Sequence, residues 1–203
     1  MFSQIAVALV LATLPPSLPD LAGPVTPVDY ILPAQRVVAY GPLAEVRVLT
    51  DIRLPVEAQT AYDLDFASAS YFGAYAVSKD GGWGLSTGNN ALDAAREMAM
   101  QECLSVNAAC TIHSELVPAG YVDIGPGDVT VTPEAAGHYT DVSTNIPFFA
   151  MAVSADGAYS KVWGYATQAE ADRQALSDCE GYRVIEAGLS DMPCILLPRA
   201  GKK

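Results

Sequence analysis

Residues 72–103 lie on residues 148–179 at a constant offset of 76, without a gap. Eleven of the 32 positions are identical: Phe72/Phe148, Ala74/Ala150, Ala76/Ala152, Val77/Val153, Ser78/Ser154, Asp80/Asp156, Gly81/Gly157, Gly88/Gly164, Ala95/Ala171, Ala99/Ala175 and Cys103/Cys179. Trp83 faces Tyr159, so an aromatic is kept where the residue is not. The shared residues are turn glycines, a cysteine and spaced alanines, a mixture that chance matching of one abundant residue type does not produce. A chain that carries one pattern twice is expected to build one supersecondary unit twice.

Each copy reads as strand, turn, strand, helix, strand. Residues 72–78 and 148–154 are apolar runs of strand length, closed by Asp80-Gly81 and Asp156-Gly157, a pair that favours tight hairpins. Second strands follow near 83–86 and 159–163. Helices are expected from about Asn90 and from Thr167, where Thr167 and Glu170 have capping-box spacing. Ala95, Ala99 and Cys103, like Ala171, Ala175 and Cys179, fall four apart on one helix face. Small side chains there let a helix lie close on a sheet. The expected fold is therefore α+β, two tandem ββαβ repeats with antiparallel strands and one alanine-faced helix each.

Four cysteines make an even set, and Cys110 and Cys194 each open an extended segment after a helix. The simplest of three possible pairings is local, Cys103 with Cys110 and Cys179 with Cys194. Neither spacing suits a structural zinc site or a CxxC redox pair. Weaker similarity lies upstream, where residues 32–34 and 38–42 resemble 117–119 and 122–126. Alternation follows at Val46, Val48, Ile52 and Leu54, and at Val129 and Val131, as in half-buried strands. The repeats would then extend to about 31–116 and 117–198.

The first 22 residues contain no Lys or Arg, and an apolar run from Ile5 to Leu14 stops at Pro15-Pro16. A run of ten residues is too short to span a bilayer but suits a secretory signal. The expected organisation is a signal peptide at 1–22, an extended β-rich segment at 23–70, repeat one at 71–118, a β-rich linker at 119–146, repeat two at 147–198 and a tail at 199–203. The product would be periplasmic or extracellular, without stable membrane insertion after signal removal. Eleven Lys and Arg against 23 Asp and Glu give a net charge of -12, which repels nucleic-acid phosphates.

Ala74-Tyr75-Ala76-Val77-Ser78, Gly82-Trp83-Gly84, Gly88 and the alanine-spaced helix ending at Cys103, with a second cysteine leading a strand, resemble a secreted bacterial domain family known only as a domain of unknown function, found also in mycobacterial secreted proteins. Copy two departs from the pattern, with Tyr159 at the Trp position and a longer stretch between Cys179 and Cys194. The resemblance implies export, disulfides within each domain and a small α+β fold. It implies no activity.

Few residues are arranged for chemistry. His113 is followed two positions on by Glu115, which on one strand face could be a base with its orienting carboxylate, though a surface strand pair is the plainer reading. His138 falls in a Gly-flanked stretch and reads as a loop residue. Asp80 and Asp156 recur, yet each precedes a turn glycine and is explained by Asx-turn bonding. No nucleophile elbow and no phosphate loop is present, so no cofactor is implied. The aromatics Trp83, Tyr159, Trp163 and Tyr165, with Tyr71 and Tyr75, could stack on a sugar or on a partner's apolar side chains. These residues favour an exported, non-catalytic interaction protein acting on a protein or glycan of the cell envelope. The alternatives are an envelope hydrolase using His113 with carboxylates, and an inhibitor or immunity-type protein that uses its acidity.

Overall fold

The computed structural model describes residues 36–125, 127–142, 146–183 and 192–199, so the expected signal segment at 1–22 lies outside the described residues. In chain order the elements are β1 (Val37–Ala39), β2 (Ala44–Val48), α1 (Val56–Ala61) running into a π-helical turn (Tyr62–Phe66), β3 (Phe72–Val77), β4 (Trp83–Asn89), α2 (Leu92–Val106), β5 (Thr111–Pro118), β6 (Val129–Val131), α3 (Pro133–Val142), β7 (Ala150–Val153), β8 (Tyr159–Val162), α4 (Gln168–Tyr182) and β9 (Ile195–Leu196). The described strands form a four-stranded sheet ordered β2-β5-β3-β4, a three-stranded sheet β8-β7-β9 and a parallel pair β1-β6. The fold is α+β.

The alanine faces do what their spacing predicts. Ala95, Ala99 and Cys103 of α2 pack on Ala74 and Ala76 of β3. Ala171, Ala175 and Cys179 of α4 pack on Ala150 and Ala152 of β7 and on Val162 of β8. Each helix ends in a disulfide to the start of the following strand, Cys103–Cys110 and Cys179–Cys194, with Cα separations of 6.2 and 6.1 Å. In chain-entropy terms loops of this size stabilise by roughly 2–3 kcal/mol each.

The two hairpins close alike. The Ser78 N–H donates to the Gly82 carbonyl at 2.8 Å, and the Ser154 N–H to that of Ala158 at 2.9 Å. Gly81 and Gly157 have φ of 94° and 96°, the left-handed region that a side chain disfavours. Helix starts differ. The Thr167 hydroxyl accepts from the Glu170 N–H and the Glu170 carboxylate accepts from the Thr167 N–H, so the capping box forms. At α2 no side chain caps the helix; instead the N–H groups of Asn90 and Ala91 donate to the Ala155 carbonyl at 2.9 and 3.0 Å.

Each of these sheets is covered on its other face as well. Phe66, Tyr75, Val77 and Leu116 form one core beneath the π-helical turn. Val131, Ala135, Phe149, Met151, Val153 and Leu197 form another, beneath α3 and the β1-β6 pair. Here the expected organisation needs correction. Segment 23–70 turns helical at 56–66, and the linker 119–146 carries the ten-residue α3 as well as β6. Within the upstream similarity the described residues differ, since Val38 lies in β1 whereas residues 121–125 form no strand. β1 pairs with β6, Val37 opposite Val129, so residues before the first hairpin complete the core of the second. Val46 and Val48 lie on a strand but are exposed, because β2 is the outermost strand of its sheet.

All described residues belong to one compact unit. Asn90 is the polar centre of the join between the two stretches. Its Nδ2 donates to the Ser154 carbonyl at 2.8 Å, its Oδ1 accepts from the Thr132 N–H at 2.8 Å, and its own carbonyl accepts from the Thr130 hydroxyl. The residue is buried. Asn90→Ala strands the Thr132 N–H and is expected to cost roughly 2 kcal/mol in a denaturant melt.

Candidate functional site

β8 is an edge strand, and along it opens a cavity of about 490 Å³ bounded by Gly157, Ala158, Tyr159, Ser160 and Lys161, with Asp178 and Tyr182 from the last turns of α4. Alternation on β8 sends Ser160 and Val162 under α4 and leaves Tyr159 and Lys161 toward α3. There the Tyr159 hydroxyl donates to Glu134 Oε1 at 2.9 Å, and the Lys161 ammonium donates to His138 Nδ1 at 2.7 Å. The rings of His138 and Tyr159 lie 5.5 Å apart. Burial, then the Glu134 bond, holds the Tyr159 phenol above its ordinary pKa. The depression is thus bounded on the β8 side by residues whose Tyr159 and Lys161 side chains are engaged toward α3, and on the α4 side by Asp178 and the exposed Tyr182. That last pair suits a polar ligand with one apolar face, such as a sugar ring.

The aromatic residues singled out from sequence do not share one surface. Tyr71 and Tyr75 are fully buried, and the Tyr75 hydroxyl donates to the Ala58 carbonyl at 2.7 Å. Trp83 stacks on Tyr75, with centroids 5.8 Å apart and planes 13° from parallel, within the core beneath the π-helical turn. Tyr165 packs against the core under α4. Trp163, directly after β8, is 51% exposed, and only Tyr159 of the set lines the depression. Tyr182, 70% exposed, and Asp178 were missed, since a polar helix end carries no mark of facing a cavity.

His113 and Glu115 were expected on one strand face, and the structure separates them. Across β3, Tyr75 stands opposite Ser114 and Ala76 opposite Ile112, which leaves His113 as the extra residue of a β-bulge. The bulge turns His113 toward Tyr62 and Tyr75, whereas Glu115 faces α2. His113 Nε2 donates to the Ile52 carbonyl at 3.1 Å, so in the neutral ring Nδ1 accepts from the Ser114 hydroxyl at 2.8 Å. Glu115, also buried, accepts from Arg96 Nε at 2.7 Å. Neither is a surface residue. His138 is likewise not in a loop, because Gly137 is accommodated within α3.

Asp156 is a turn residue, accepting from the Ser154 hydroxyl and, at 3.3 Å, from the Ala158 N–H. A second cavity of about 380 Å³ is lined by Tyr139, Phe149, Met151 and Leu197, with the Asp172–Arg199 ion pair beside it. Phe149, Met151 and Leu197 are core residues. Among the described residues no group of three or more His, Cys, Asp or Glu is placed to hold a metal ion. No protein-family model, curated protein or solved structure matches the chain.

Proposed function

We propose that this chain is an exported, non-catalytic binding protein, built by internal duplication, that presents the depression along β8 to a protein or glycan of the cell envelope. The observation that carries the reading is the open cavity along β8, to which α4 presents Asp178 and the exposed Tyr182. Export is supported by two disulfides, which persist in oxidising compartments. Among the described residues no helix is long and apolar enough to cross a membrane. Duplication is supported by the sequence repeat and by helices that begin at Leu92 and Gln168 and end at Val106 and Tyr182, again 76 apart. It is supported too by a pair of ion pairs: Arg96 of α2 meets Glu115, and at the position 76 residues on Asp172 of α4 meets Arg199, with the signs exchanged. Membership of the secreted family of unknown function belongs to the same reading. The binding reading is favoured over the hydrolase alternative because both ring nitrogens of His113 are engaged inside the fold.

The test is co-sedimentation of the purified protein with envelope material from its own host. Tyr182→Ala and Asp178→Asn, both at the lining of the depression, should lower the retained fraction roughly fivefold at an unchanged melting temperature, since neither change opens the core. No retention of the unaltered protein, or equal retention of both variants, would reject the reading.

A further inference from the structure

β2 is an open edge. Its inner side pairs with β5, from Ala44 opposite Pro118 to Val48 opposite Ser114. The Leu49 N–H donates to the His113 carbonyl and the Ala119 N–H to that of Leu43, so the odd-numbered residues direct their backbone groups inward. By alternation the N–H and C=O groups of Ala44, Val46 and Val48 point outward, away from the sheet. The other edges of the four- and three-stranded sheets offer less. On β4 the outward Leu85 N–H is taken by Glu102 of α2 at 2.6 Å, while β8 and β9 have only four and two residues. β2 has neither device, and apolar side chains crowd it: Leu43 is 74% exposed, Val46 39%, Val48 62% and Leu49 52%.

The residues of this edge are complementary to themselves. Run antiparallel to a second copy about Val46, Leu43-Ala44-Glu45-Val46-Arg47-Val48-Leu49 sets Leu43 against Leu49, Ala44 against Val48, Glu45 against Arg47 and Val46 against its own equivalent. The three outward-pointing residues fall directly opposite one another, which is the hydrogen-bonded pairing an antiparallel ladder requires. Glu45 and Arg47 are exposed, and among the described residues neither has an ion-pair or hydrogen-bonding side-chain partner within the chain. Arg47 stands across from Glu115, but that carboxylate is held by Arg96. A two-fold axis at Val46 would give both charges a partner twice over, and a two-fold contact is by necessity self-complementary.

We infer that two copies of this chain pair antiparallel through β2, about a two-fold axis at Val46, joining their four-stranded sheets into one. The partner is a second copy because the charge order along the strand fits its own reverse. The inference stands apart from the ligand proposed above, since β2 and β8 lie in different sheets.

Sedimentation equilibrium of the disulfide-intact protein tests it. The unaltered chain should form a dimer. Glu45→Arg sets two guanidiniums against each other and Arg47→Glu two carboxylates, so each should weaken the dimer by roughly tenfold or more. The two single variants, mixed, should associate with each other, and Glu45→Arg combined with Arg47→Glu should regain the dimer. Val46→Lys, which places two ammonium groups on the axis, should be monomeric at an unchanged melting temperature. A chain that is monomeric throughout overturns the inference and leaves the edge to a strand of another protein. So does a dimer that ignores the charge exchanges, or single variants that fail to associate when mixed.

Discussion

Gly84→Ala should lower stability by roughly 3 kcal/mol, more than its place on an edge strand would suggest. A Cβ built on Gly84 would stand 2.4 Å from the Cys103 backbone nitrogen and 2.6 Å from the Ala99 carbonyl oxygen. Both are backbone atoms of α2, so no side chain can swing aside. The helix itself must lift off β4, and Ala95, Ala99 and Cys103 then lose contact with Ala74 and Ala76. Such a loss corresponds to a fall in melting temperature of about 6–12 °C for a chain of this size. The position 76 residues on is Ser160, buried under α4, so that helix already accommodates a Cβ at the same place. Ser160→Gly should therefore change stability far less. Equal effects at the two positions, measured by thermal melts, would show that close approach of α2 is not the cause.

Trp83→Ala and Trp163→Ala should part company just as clearly. Trp83 stacks on the fully buried Tyr75, which itself meets Tyr62, Phe66 and His113. Removing the indole opens a cavity in that cluster and uncovers Tyr75, an expected cost of roughly 3 kcal/mol. Trp163 has half of its surface in solvent, and its removal should stay within about 0.5 kcal/mol. Urea melts of the two variants decide the matter. A Trp83→Ala protein as stable as the unaltered chain would return Trp83 to the binding surface.

The contrast between the two tryptophans marks where reading the sequence stops. Both sit in or beside hairpin strands of similar composition, and nothing local separates them. Trp83 is covered because residues 56–66 fold into α1 and the π-helical turn beneath β3 and β4. Those residues were expected to be extended, since Ile52 and Leu54 continue the alternation of Val46 and Val48. The helix is instead held by what it packs on, with Ala58, Ala61 and Phe66 buried and the Ala58 carbonyl bound by Tyr75. His113 shows the same limit on a smaller scale. A strict period of two places it beside Glu115, and one extra residue opposite Tyr75 and Ala76 reverses its face. A bulge depends on the register of two strands far apart in sequence, so it leaves no mark on either strand alone.

Local chemistry was determined by the sequence alone. The Asp-Gly hairpins, the Thr167 capping box, the four-apart alanine faces and the cysteine closing each helix all follow from interactions spanning a few residues, whose geometry the backbone dictates wherever the residues occur. The tertiary structure alone decided the relations between distant stretches. It paired β1 with β6 across the two halves, capped α2 with the carbonyl of Ala155, buried His113, set β2 at the edge of its sheet and opened the depression between β8 and the end of α4. Each of these depends on which apolar face finds which partner, and that choice is made by the packing of the whole chain, because burial is non-directional and no single segment encodes its own cover.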